Sequence, residues 1–167
     1  VAYLGDGLPS VFDGDGYDPT ALDRVVAGVI LAQYGVSRPD GSTLNVLHAF
    51  GHALRDVFGL QQGVAHAVVA PHALRALFDA GVDPTPVAEG FGVPADAVVD
   101  RVVTIREKLD LPGTIRAATD RTDSADAAAD DIATAAREAT RDSFADNAPP
   151  KFGFDATAAR GILRAAW

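Results

Sequence analysis

Four histidines carry most of the chemistry open to this chain, and they stand at positions 48, 52, 66 and 72. His48 and His52 are four residues apart, so a helix through them puts both imidazoles on one face. That spacing suits two metal ligands, or one ligand and one proton relay. It equally suits a pair of solvated or hydrogen-bonded structural side chains. Gly51 lies between them without a side chain, so a cofactor or another backbone can approach that face closely. The chain has no cysteine, which excludes thiol nucleophiles, disulfides and zinc fingers and leaves imidazole, carboxylate and amide as metal donors. His66 and His72 fall in an apolar segment, where a hydrogen-bonded packing histidine is the commoner outcome. Arg75 and Lys151 read as surface residues, and Asp18, Asp23 and Asp56 as helix caps and solvated faces.

The elements that must position these residues are all helical. From Asp18 to about Tyr34 the apolar residues Leu22, Val25, Val26, Val29, Ile30 and Ala32 recur at helical spacing, with Asp18 as N-cap and Pro19 as the first helical residue. Ser42 is placed to cap a second helix, striped by Leu44, Leu47, Phe50, Leu54 and Phe58 and closed near Gly59. The segment Gly63 to Phe78 is apolar nearly all round, which predicts a central buried helix that bends or restarts at Pro71. A short helix around Val87 to Phe91 follows, then one from about Pro94 to Leu109 with Ala97, Val98, Val102, Val103, Ile105 and Leu109 inward. A solvent-facing Ala/Asp/Arg helix spans about Ser124 to Asp142, and a last helix runs from Asp155 to Ala166. The Gly- and Asp-rich opening to Gly16 reads as an irregular connector. An all-α, bundle-like single domain of six to eight helices is expected. No strand-linked GxGxxG nucleotide fingerprint is present.

Composition narrows the partners. The 23 acidic residues comprise 20 Asp and 3 Glu, the 14 basic ones 12 Arg and 2 Lys, and the net charge is -9. Such an Asp-rich, Lys-poor surface is expected of a halophilic protein, because molar salt shrinks the screening length to about 3 Å and removes most of the self-repulsion. Nucleic acid and anionic membranes are poor partners for it. No run of about 18 apolar residues occurs and the N-terminus lacks a signal-peptide layout, so a cytoplasmic protein is expected.

The segment LHAFGHALRDVFGLQQGVAHAVVAPHALRAL resembles the signature of the iron-containing (group III) alcohol dehydrogenases and their maleylacetate reductase relatives, with His48, His52, Gly59, Gly63 and Pro71-His72 falling on the family pattern. The flanks LGDGLPSV, DPTALDRVVAGVILAQYG and DNAPPKF are similar to the family as well. The resemblance implies the helical C-terminal domain of an NAD- or NADP-dependent oxidoreductase acting on an alcohol or carbonyl. By position His48 takes the role of a ligand to iron or zinc, and His52 that of a non-ligating proton carrier near nicotinamide and substrate. His66 matches a histidine of maleylacetate reductases and is placed to line the substrate cleft. The family's next ligand is a histidine fourteen residues after the first, where this chain has Gln62, a neutral and weaker donor. The remaining two ligands and the nucleotide-binding domain are expected upstream of Val1, so these residues alone are expected to be inactive. A second copy of the chain is an expected partner. A related group, the dehydroquinate synthases and glycerol-1-phosphate dehydrogenases, has a GHxxGH-type helix similar to LHAFGH but continues as His-Gly-Glu, where this chain reads Gln62-Gly63-Val64. A helical dimerisation domain without catalysis is the third reading.

Overall fold

A computed structural model describes residues 2–12, 15–36 and 45–167. Among them are nine α-helices: α1 (Ala2–Gly7), α2 (Pro19–Val36), α3 (Val46–Phe58), α4 (Gln62–Asp79), α5 (Thr85–Phe91), α6 (Val98–Lys108), α7 (Ile115–Ala118), α8 (Ala129–Arg141) and α9 (Ala156–Ala165). No strand occurs among the described residues, and the helices gather into two compact units, neither continuous in sequence.

The first unit comprises residues 1–43 and 83–110. The opening segment, expected to be irregular, instead winds into α1 and a 3-10 turn at Leu8–Ser10. Helix α2 begins as its sequence dictates, with the Thr20 N–H donating to Asp18 Oδ1 at 2.8 Å. It meets α1 through glycine. A Cβ at Gly28 would stand 2.8 Å from Leu4 Cγ, and one at Gly7 would stand 2.8 Å from Val25 Cγ2. The six-residue α1 covers too little of α2 to bury its predicted stripe, so Leu22, Val26, Val29 and Ile30 are exposed. On α6 only Val98 is fully buried, and the other residues expected to face inward are half-buried.

The second unit, residues 44–82 and 111–167, holds the larger core. Phe50, Leu54, Val68, Val69, Ile115, Ile132 and Leu163 are wholly buried there. Helix α3 starts at Asn45, whose Oδ1 accepts from the Leu47 N–H at 3.4 Å, while the predicted cap Ser42 lies outside the described residues. It ends at Gly59, where φ is 70° and the left-handed turn suits a residue without Cβ. Helix α4 runs unbroken through Pro71 rather than restarting there. Proline removes one backbone donor, but buried Val68, Val69 and Ala73 hold the helix to the same core on either side of it. The Ala-rich α8, expected to face solvent, buries one face through Ile132, Ala135, Ala136 and Ala139. These short side chains let α3 and α9 pack closely against it. Helix α7 was not foreseen. It is set by the Thr114 cap and by fully buried Ile115, whose N–H donates to the Ala166 carbonyl at 2.8 Å.

Candidate functional site

Three of the four histidines converge in the second unit. His48 and His52 stand one turn apart on α3, with ring centroids 5.0 Å apart in an edge-to-face arrangement. Gln62 opens α4, and its Nε2 lies 3.0 Å from His48 Nε2. An amide N–H donating there leaves the other nitrogen of His48 to carry its proton. One turn further along α4, the His66 ring lies 5.2 Å from that of His48. What lets the two helices come so close is Gly51. A Cβ there would overlap His66 Nε2 and would sit 2.7 Å from its Cδ2 and 3.3 Å from Gln62 Cγ. His66 Nε2 is buried against this backbone without a hydrogen-bond partner.

The site holds two residues that no spacing in the sequence points to. Asp142, at the end of α8, places Oδ2 2.7 Å from His52 Nδ1. Its Oδ1 accepts from the Phe144 N–H at 2.9 Å and so caps the 3-10 turn Ser143–Asn147. The Phe144 ring then packs edge-on against His48 at 4.8 Å and lies 5.7 Å from His52. Ninety residues separate Asp142 from His52. The legible signal was an aspartate at a helix end, which by itself announces only a cap.

The other singled-out residues make none of these contacts. His72 lines a cleft between α4 and α9 with Arg75, Asp79 and Ile162. Lys151 donates to the Gly81 carbonyl at 3.1 Å, and Asp56 pairs with Arg55 at 2.9 Å on the surface. Asp18 caps α2, and Asp23 is exposed on the same helix.

The electrostatics favour the neutral form of His48 and His66 and the charged form of Asp142. Burial, then the neighbouring His52, lowers the His48 pKa against the opposing pull of Asp142. Burial, then His48 and His52, lowers that of His66. Burial would raise Asp142, but the Phe144 amide and His52 together outweigh it and hold the carboxyl below its ordinary value. In all three cases the unfolded chain takes up the proton first as pH falls, so each shift contributes stability that is lost on acidification. Stability should therefore be full above the ordinary histidine value of 6.5 and decline below it. It should decline again below the ordinary carboxyl value of 3.8. Thermal melts between about pH 7 and pH 5 check the first step, and the slope should flatten in a His48→Gln, His66→Gln double variant. Equal slopes in the two proteins would contradict it.

Among the described residues no three of His, Cys, Asp and Glu are grouped to hold a metal ion. At the positions where the resemblance implies metal ligands, the donors are one imidazole and one neutral amide, already hydrogen-bonded to each other. His66 Nε2 is turned against the Gly51 backbone. This donor set does not fit iron or zinc. A second imidazole facing His48 would change that, because the two side chains already meet. Gln62→His should raise zinc affinity at least tenfold, which corresponds to about 1.4 kcal/mol. Calorimetric titration with zinc decides it, and affinity equal to wild type would refute the facing geometry as a latent metal pair.

The geometry at His52 suits acid-base chemistry. A His52 whose Nδ1–H is donated to a carboxylate presents Nε2 as the atom that gives or takes a proton. Comparison with models of protein families gives no match, and comparison with curated proteins finds no relative.

Proposed function

We propose that this chain is the helical, proton-delivering side of an NAD(P)-dependent oxidoreductase of the alcohol dehydrogenase and maleylacetate reductase type, working without a metal ion. The observation that supports the reading is the convergence of His48, His52 and His66 with Gln62, which stands where the family has a histidine, and with His52 held on the Asp142 carboxylate. In this reading the helical units are the C-terminal domain of such an enzyme, and a nucleotide-binding domain supplied outside these 167 residues presents the cofactor. The nicotinamide, when bound, supplies the hydride. In the reductive direction a doubly protonated His52 gives the proton on Nε2 to the substrate atom that receives the electron pair. It is left neutral with Nδ1–H on Asp142, and in the oxidative direction the bare Nε2 takes a proton back. His48 is kept off that role by the Gln62 amide on its Nε2. Phe144 packs edge-on against His48 and tilted against His52, covering one side of the pair.

The test is isotopic. The full-length protein containing these residues should transfer deuterium from the C4 position of labelled NADH or NADPH to a carbonyl or unsaturated acid substrate. The 167 residues alone should transfer none. Absence of transfer by the full-length protein across aldehydes, ketones and unsaturated diacids with both nucleotides would overturn the reading, and transfer by the chain alone would overturn the division of labour.

A further inference from the structure

We propose that Asp142 is a positioning residue that fixes which nitrogen of His52 exchanges the proton, an inference that rests on the reduction reading only for its catalytic consequence. The carboxylate is not free to choose its partner. Oδ1 is committed to the Phe144 N–H at 2.9 Å, and that bond also caps the 3-10 turn. Oδ2 is thereby aimed at His52 Nδ1 at 2.7 Å. An ionised carboxylate only accepts, so Nδ1 must donate, and a ring that carries a single proton is held with its lone pair on Nε2. Phe144 resists the ring flip that would exchange the two nitrogens, since its ring lies against both His52 and His48. Side-chain exposures of 27% for His52 and 16% for Asp142 leave room for a substrate at the imidazole while shielding the carboxylate.

A simple cap would be indifferent to what faces His52, and this separates the two roles. In Asp142→Asn the Phe144 N–H still requires an oxygen, so the new amide nitrogen is turned toward His52. It donates to Nδ1 and drives the ring to the opposite tautomer, with the proton on Nε2. The same reversal is the accepted cause of inactivity when the triad aspartate of a serine protease becomes asparagine.

Long-range proton–nitrogen NMR of the 15N-labelled 167-residue chain reads the tautomer directly, without substrate or nucleotide. Wild-type His52 should show a protonated Nδ1 and a bare Nε2, and Asp142→Asn the reverse, with an unchanged melting temperature. Wild-type His52 found with its proton on Nε2 overturns the proposal before any variant is made. So does an Asp142→Asn protein that keeps the wild-type tautomer. If Asp142→Asn fails to fold, Asp142→Ser retains a hydroxyl acceptor for the Phe144 N–H, and it should leave His52 a mixture of tautomers. In the full-length enzyme, Asp142→Asn should lower kcat at least tenfold with little change in KM. An inverted tautomer with unchanged kcat would overturn the positioning role. Absence of any turnover in wild type, beside the expected tautomers, would sink the reduction reading alone.

Discussion

Replacing His52 by glutamine is expected to lower kcat of the full-length enzyme by about 10²–10⁴-fold, the range spanned by loss of a positioned general acid or base. The substitution keeps a donor that can still meet the Asp142 carboxylate, now 2.7 Å from His52 Nδ1, so the turn capped by Asp142 should survive. What glutamine cannot do is release a proton from its far end near neutral pH. The loss corresponds to a barrier increase of about 3–5 kcal/mol. KM and nucleotide affinity should change little, because His52 is proposed to move a proton rather than to hold substrate. Steady-state kinetics check this, and turnover within twofold of wild type would remove His52 from the reaction.

Gly51→Ala should destabilise the second unit by about 1–3 kcal/mol, the usual cost of overpacking a closely fitted contact. The sign is informative. In the middle of a helix, glycine to alanine normally gains about 0.5–1 kcal/mol. Here the new methyl would overlap His66 Nε2 and sit 3.3 Å from Gln62 Cγ, so α3 and α4 must part or the His66 ring must leave its place beside His48. Truncating the obstacle should relieve the clash: the Gly51→Ala, His66→Ala double variant should be more stable than the sum of the single effects predicts. Denaturant unfolding of the four proteins measures the coupling. A Gly51→Ala protein as stable as wild type would show that the two helices are not held at contact distance.

The helical character of the chain was legible because its longer helices repeat their apolar residues over three turns or more. A cap was legible where the side chain reaches its own helix, as Asp18 does. The short α1 and α7, of six and four residues, offer no periodicity to read. At Pro71 a local rule allows a bend or a restart, and the buried neighbours on both sides keep the helix from restarting. The stripe on α2 marks a helix that is there, but amphipathic spacing says which face is apolar and not whether anything covers it.

At the site, the pairing of His48 with His52 follows from spacing alone. The meeting of His48 with Gln62 and His66 needed α3 and α4 to fold back on each other, which Gly51 permits and Gly59 turns. Asp142 was beyond reach because its approach depends on how α8 packs against α3, a tertiary fact with no short-range trace. Phe144 entered with it. The residues that complete an acid-base pair are thus the ones that sequence spacing reveals least.

The bare flank of α2 gives added salt two opposing effects on this protein. Leu22, Val26, Val29, Ile30, Leu31 and Tyr34 are exposed on a chain of net charge -9. In dilute buffer the charge keeps separate molecules apart, and within one molecule the same charge strains the fold. Concentrated salt relaxes that strain by screening, yet it also strengthens the attraction between uncovered apolar surfaces. Conditions that make each molecule more resistant to unfolding should therefore also bring the solution nearer to precipitation, and an optimum ionic strength for handling the protein should lie between the two.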